Sequence, residues 1–375
     1  MSYALQTLWF ERARYAAGVG AVLFSAVLIA LQVGLLLGLF EITSIPIDHT
    51  QADIWVGEAD VESVDLGRPV PISTIGRFDK PGVRMPEPLY LNFANWTKIT
   101  GGSNLCVVIG SNLAPDAVSK SDVLTPEMCN ALSETMTVVV DASDLERLGM
   151  AQIGDKGKVH GQEVRLVGIV SGLKSLAAPW VFCSQSTARE LLSINNPAYA
   201  TGTTYLLANC ESKQRAAEVV AELRRDHKDI TVYTADDFST QTRIYWLTRT
   251  KAGLALGYAA LLGLLVGAVI TAQTLYAATM ASAKEFATLL ALGIPRTKIY
   301  RMVLMQSFWV GVLGVLLAYP VIWLLARAAD QVGTRVVMRW EILAGAAVVT
   351  MLTAMLSGLV ALRSVRRIEP MSLLR

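Results

Sequence analysis

Three histidines and four cysteines are the side chains of this 375-residue sequence best equipped for chemistry. His49, His160 and His227 stand far apart in polar, turn-like settings and read as solvated surface residues rather than metal ligands. Asp53, Asp60 and Asp65 are scattered carboxylates without the glycine and closing glutamate of a calcium loop. Cys106, Cys129, Cys183 and Cys210 follow one another at 23, 54 and 27 residues, a spacing that matches no zinc template. An even set in an oxidising compartment points to two disulfides. Of the three pairings, Cys106–Cys129 with Cys183–Cys210 is preferred; the competing reading is four buried thiols. No nucleophile–base constellation is present, so the chain is not expected to be an enzyme. It is expected to hold no metal or cofactor, and it lacks the G-x-x-x-x-G-K-[ST] phosphate loop.

A second kind of chemistry is recognition by a short helix. Ser282-Ala283-Lys284-Glu285 has capping-box spacing, with Ser282 placed to cap and Glu285 at the third helical position. Phe286, Leu289 and Leu290 follow at i, i+3 and i+4, and Gly293 with Pro295 ends the helix. This describes an amphipathic helix that either lies on lipid or seats in a partner's groove.

These residues are positioned by apolar segments. Residues 15–40, 252–281, 302–326 and 342–362 each meet or exceed the ~20 residues that cross a ~30 Å hydrocarbon core. The expected architecture is a four-helix membrane protein in a 1+3 arrangement, with a large α+β extracytoplasmic domain between helices 1 and 2. Segment 15–40 is too long for the apolar part of a signal peptide and lacks a small-residue cleavage site, so it is read as an uncleaved helix. Lys and Arg flanking the helices place residues 1–14, 282–301 and 363–375 on the cytoplasmic side. Residues 41–251 and the short 327–341 loop are then outside, although Arg327, Arg335 and Arg339 in that loop run against the rule. Net charge of +2 and the absence of basic runs exclude nucleic acid as a partner.

Small residues recur at fourfold spacing: Gly34 and Gly38 in helix 1, Gly253 and Gly257, then Gly263 and Gly267, in helix 2. Such spacing allows close backbone approach, within the chain or in a dimer. Pro320 should kink helix 3. No ionisable residue sits mid-membrane, which argues against a proton relay. Tyr245 and Trp246 fit the outer membrane interface as amphipathic anchors.

Within 41–251, strands are expected at 52–57, 105–110, 137–140, 164–170, 204–208 and 230–233. His160-Gly161-Gln162 reads as a hairpin turn, residues 212–225 as a helix feeding the 230 strand in a βαβ-like unit, and residues 67–88 as a long loop.

The run Lys284-Glu285-Phe286-Ala287-Thr288-Leu289-Leu290-Ala291-Leu292-Gly293 resembles the coupling-helix signature of the MacB/FtsX-type (type VII) ABC permeases. The tail Arg366-Arg367-Ile368-Glu369-Pro370-Met371-Ser372-Leu373-Leu374-Arg375 is similar to that family's closing pattern. Asp53-Ile54-Trp55-Val56, Tyr245-Trp246, Val266-Gly267 with Val269-Ile270, Gln273 with Leu275-Tyr276, and Glu285 to Leu289 resemble the DevC branch in order and spacing. Gln306 departs from the wider family, which often has Glu there. The resemblance implies a homodimeric permease in the inner membrane, both termini cytoplasmic, driven by a separate ABC ATPase that binds ATP and magnesium. It implies coupling through Ser282, Glu285, Phe286, Leu289, Leu290 and Gly293, and a periplasmic adaptor with an outer-membrane channel. The cargo class it implies is a glycolipid or other amphiphile; the alternative is FtsX-like mechanotransmission that activates an extracytoplasmic partner and moves no substrate.

Overall fold

Among the described residues, four helices are long and apolar enough to cross a membrane: Tyr15–Asp48, Lys251–Ala281, Arg296–Ala329 and Trp340–Leu359, whose most apolar stretches have mean hydropathies of 2.5, 2.2, 2.2 and 2.0. Between the first and second lies a mixed-sheet domain, the 1+3 layout expected. The computed structural model describes residues 12–78, 80–84, 86–173, 175, 178–331 and 338–365. Arg335 and the closing 366–375 motif lie outside them. The chain divides into two compact units, one made of Met1–Gly38 with Gly253–Arg375, the other Leu39–Ala252.

In chain order the elements begin with α1 (Arg12–Asp48), β1 (Ile54–Glu58), β2 (Val70–Pro71), β3 (Glu87–Thr97), β4 (Ser103–Ser111), α2 (Pro126–Leu132) and β5 (Thr137–Asp141). They continue with α3 (Leu145–Leu148), β6 (Lys156–Val159), β7 (Gln162–Val170), β8 (Trp180–Ser184), α4 (Gln185–Asn195), β9 (Gly202–Thr203) and β10 (Tyr205–Ala208). Last come α5 (Lys213–Asp226), β11 (Ile230–Thr234), α6 (Ala235–Arg249), α7 (Lys251–Ala281), α8 (Ala283–Ala291), α9 (Arg296–Gln331) and α10 (Trp340–Val365).

The domain's large sheet runs β11-β1-β10-β3-β4-β8-β5-β7-β6, and β6 returns to β3 through Trp96↔Val159 and Thr97↔Lys158. Strands β3, β4, β8, β5, β7 and β6 therefore close on themselves as a barrel. Closure removes the edges that open sheets expose. The barrel interior is one apolar cluster drawn from all six strands, including Tyr90, Trp96, Cys106, Val138, Val159, Leu166 and Cys183. Burying each such aliphatic side chain stabilises by about 1.5–3 kcal/mol. Trp96 needs Gly157 across from it, since a Cβ at residue 157 would overlap the indole. The indole N–H donates to Leu148 O at 2.9 Å.

Strand β3 is long enough to leave the barrel and pair with β10, which leads to β1 and β11. Helix α5 connects β10 to β11 with β1 between them, a split βαβ unit whose core is Val219, Val220 and Leu223 against Ile54, Leu206 and Val232. Strand β11 is the remaining edge. Arg224 covers it, donating from Nε to Val232 O at 2.6 Å with its guanidinium over Tyr233. The His160–Gly161 turn joins β6 to β7 with φ of 49° and 87°, the left-handed pair that a two-residue hairpin demands. Strands β3 and β8 were not expected. Residues 67–88 are not a simple loop: β2 pairs with β9, residues 72–78 form a 3-10 turn burying Phe78, and Val83 bridges to Cys210.

The expected disulfides are absent. All four cysteines are free, and Cys106, Cys129 and Cys183 are buried. The sheet separates the preferred partners. Cys106 lies inside the barrel and Cys129 in the cluster outside it, while Cys183 lies inside and Cys210 packs beside the α5 cluster. Burial pushes the Cys106 thiol up to about 12, and the Cys183 thiol higher still, so both stay protonated.

Candidate coupling site

Helix α8 follows α7 with little interruption. Ser282 keeps a near-helical backbone (φ −87°, ψ 5°), and its hydroxyl donates back to Ala278 O at 3.4 Å. It makes no side-chain cap, so the capping box expected there is not built. The end of the helix is built as expected. Gly293 adopts φ 84°, its N–H donates to Leu290 O at 3.0 Å, and the Ile294 N–H donates to Leu289 O at 3.1 Å.

One face of α8 is occupied. Ala287 is buried with Ile299 and Val303 of α9, and Leu289, Leu290 and Ile294 pack against them. The other face presents Glu285, Thr288 and Leu292, the last 74% exposed. Two of the expected partner contacts, Leu289 and Leu290, thus hold the loop together, and the exposed apolar knob is Leu292. The side chain of Phe286 lies outside the described residues.

The membrane helices meet through small residues. Gly263 and Gly267 of α7 face α1: a Cβ at the first would overlap Leu28, and at the second the Ser25 hydroxyl. Ser25 is fully buried and its hydroxyl sits over Gly267. Gly34, Gly38 and Gly253 are buried and Gly257 is half-buried. Three contacts escaped sequence reasoning: Gly314 against Val22, Gly311 against Met351, and Gly358 against Ser307. Gln306 is buried, and α9 continues through Pro320.

In the domain unit, the end of α1 is fastened to α6. Arg243 donates from Nη2 to Asp48 Oδ2 at 2.7 Å and from Nε and Nη2 to Ser44 Oγ at 3.1 and 3.0 Å. Ser239 donates to Asp48 Oδ1 at 2.7 Å, and Ser44 to Asp48 Oδ2 at 2.6 Å. Two i, i+4 pairs, Ser44/Asp48 and Ser239/Arg243, thereby interlock. The next face of α6 enters the domain. Phe238 stacks on Tyr233 and packs on Trp55 and Tyr205. Buried Thr242 accepts from Val64 N at 3.2 Å. Trp246 donates to Asp65 Oδ1 at 3.2 Å and lines a recess with Ile42, Phe93 and Trp180. Trp246 is therefore tied into the protein, while Tyr245 beside it is half-buried. The only sequence signal for this cluster was the matching fourfold spacing of its hydroxyl and charged residues.

Residues 257–370 match the family model described as FtsX-like permease C-terminal. A curated relative, the uncharacterized ABC transporter permease MJ1507 of Methanocaldococcus jannaschii, is 25% identical over 236 residues, which are 60% of this chain and 58% of that protein. The chain thus spans less than two thirds of that relative's length. The periplasmic region of MacB from Actinobacillus actinomycetemcomitans aligns with 12% identity and a TM-score of 0.34, covering 52% of this chain and 94% of that one. The extracellular domain of the noncanonic ABC-type transporter YknZ from Gram-positive bacteria aligns with 11% identity and a TM-score of 0.33, covering 49% and 99%.

Proposed function

We propose that the chain is an FtsX-like permease that transmits the motion of a separate ABC ATPase to its 41–251 domain to export an amphiphile. The observation that carries this reading is α8, a short helix between two membrane-spanning helices, packed on α9 along one face and open along the other. A helix held this way can be pushed without unfolding. The ATPase subunit binds Glu285, Thr288 and Leu292 and binds the ATP and magnesium. The protein lies in the inner membrane as a homodimer with both termini cytoplasmic, and a periplasmic adaptor and outer-membrane channel complete the route.

The test is co-purification of the ATPase with the full-length permease. Leu292→Asp and Glu285→Lys are expected to lose the ATPase at normal permease yield. Leu289→Asp is expected to lower the yield itself, because Leu289 packs on Ile299 and Val303. Wild-type ATPase recovery with both Leu292→Asp and Glu285→Lys overturns the assignment.

One observation favours mechanotransmission without transport as a second reading. The apolar recess beside Trp246 holds only about 30 Å³, little more than one water. The roomier clefts, about 330 and 490 Å³, are lined by charged and polar groups such as Arg77 and Asp229, or Asp53 and Lys213. Amphiphiles accumulating on deletion of the gene support export; loss of an extracytoplasmic enzyme's activity with no accumulation supports signalling.

A further inference from the structure

Arg327 and Arg339 run against the charge rule that orients the other membrane-helix ends. The surroundings of Arg327 give it a purpose. Its guanidinium lies 3.8 Å over the centre of the Trp323 ring, and both side chains are exposed. Tyr319, Trp323 and Arg327 follow one another at fourfold spacing and so line one stripe of α9, with Leu316 and Leu324 exposed beside them.

The length of α9 sets the depth of this stripe. Arg301 and Arg327 bound an uncharged stretch of the helix. At 1.5 Å per residue they stand about 39 Å apart along its axis. The hydrocarbon core accounts for ~30 Å of a bilayer and the headgroups bring it to ~40–45 Å. Arg327 therefore reaches the headgroup phosphates of one leaflet when Arg301 reaches those of the other. Trp323 and Tyr319, ~6 and ~12 Å deeper along the helix, fall at the interface and the top of the acyl chains.

Helix α10 brings another aromatic ring to that level. It runs antiparallel to α9, since Gly311 meets Met351 and Gly358 meets Ser307. Carried along both helices, this register sets Trp340, 75% exposed, level with the Trp323 turn. Arg339 is exposed at the start of α10.

Stacking on a ring uses the face of a guanidinium and leaves its N–H donors in the plane, where the fork can reach two oxygens of one phosphate. Asp330 and Glu341 also belong to this end, so the attraction is local to the fork and does not come from net charge. We propose that the Tyr319–Trp323–Arg327 stripe of α9, with Trp340 of α10, binds one phospholipid: Arg327 takes the headgroup phosphate, and the rings pack on the glycerol and the upper acyl chains. The phosphate contact follows from these side chains alone. That the lipid belongs to the outside leaflet rests on the cytoplasmic placement of both termini.

The experiment is native mass spectrometry of the full-length permease in detergent, titrated with phosphatidylglycerol and, separately, with monogalactosyl diacylglycerol carrying the same chains. The wild type should bind its first phosphatidylglycerol roughly tenfold more tightly than the phosphate-free lipid, and Arg327→Gln should lose that preference. Trp323→Leu keeps the charge but not the stacked fork, and should weaken phosphatidylglycerol about threefold. Arg327→Lys should fall between the wild type and Arg327→Gln. Arg68→Gln, which removes an exposed charge from the domain, should change nothing.

Equal first-site affinity for the two lipids in the wild type, or wild-type phosphatidylglycerol binding by Arg327→Gln, overturns the site. So does loss of a dimer in Arg327→Gln at unchanged lipid affinity, which would give this face to a second copy of the chain. The leaflet is read separately: an impermeant maleimide should label Arg339→Cys in intact cells, in a Cys210→Ser background because the other three thiols are buried. Labelling only once the cytoplasmic side is opened overturns the topology and the leaflet, and the phosphate site is then judged on the detergent result.

Discussion

The barrel of the domain and the helix bundle of the membrane block solve opposite packing problems. Inside the barrel, large side chains such as Tyr90, Trp96 and Leu166 converge from six strands, and the gain is their removal from water. In the bundle, large apolar side chains point outward, with Leu262, Leu316 and Leu324 about 60% exposed. The closest contacts there set a glycine on one helix against a side chain of the next, such as Gly263 against Leu28, Gly267 against Ser25 and Gly314 against Val22. Lipid is as apolar as leucine, so burying leucine between helices gains little; close approach of backbones does the work. The same substitution should therefore have different consequences in the two regions.

The largest effect is expected at Gly157. Valine there must displace the Trp96 indole from a closed barrel, and overpacking of this kind, with loss of β6–β3 closure, should cost about 3 kcal/mol or more. Urea unfolding followed by tryptophan fluorescence checks it; a midpoint within error of wild type would mean that the barrel is looser than its contacts imply.

In the bundle, the Cβ added by Gly267→Ala overlaps Ser25, whereas the Cβ added by Gly20→Ala meets nothing within 4 Å. The first should destabilise the detergent-solubilised protein by about 1–3 kcal/mol and the second by almost nothing. Thermal unfolding of the pair sharpens the contrast, and equal losses would break it.

The smallest effect is electrostatic and confined to the domain. Asp144 is buried, accepts from Ser175 Oγ at 2.9 Å and from Arg147 at 3.1 Å, and has Asp141 nearby. Burial is the main reason its carboxyl titrates above the usual range. The folded state therefore binds this proton more tightly than the unfolded chain. Its contribution is fully present below the unfolded value and is lost as pH rises through the raised one. Asp144→Asn should flatten the stability profile over that interval, as read by thermal unfolding at a series of pH values; an unaltered slope would assign it to other groups.

The membrane half was legible in the sequence because its signal is crude and long. Twenty or more uncharged residues have few alternative fates, and all four segments appear as helices. The strands around Ile54, Val107, Val139, Leu166, Leu207 and Val232 were legible because β-branched and apolar runs were bounded by turn residues. Strand β3 was hidden by Pro88, Asn92 and Asn95, and its burial comes from pairing with its neighbour β4 and with β10 and β6, which lie far away in the chain. The candidate site divides in the same manner. The α8 helix and its Gly293 stop are local and could be read directly. The roles of Leu289 and Leu292 depend on where α9 packs, and the Asp48–Arg243 pair joins residues 195 positions apart. Periodicity carries no information about either.

The unpaired cysteines have a consequence for how the domain is made. A domain whose four thiols are uncross-linked has no oxidative step in its assembly. If it matures outside the cytoplasm, it does so without a dithiol oxidase or an isomerase, and a reductant strips it of nothing. What its assembly must still achieve is topological: β6 has to find β3 some sixty residues away before the barrel can close.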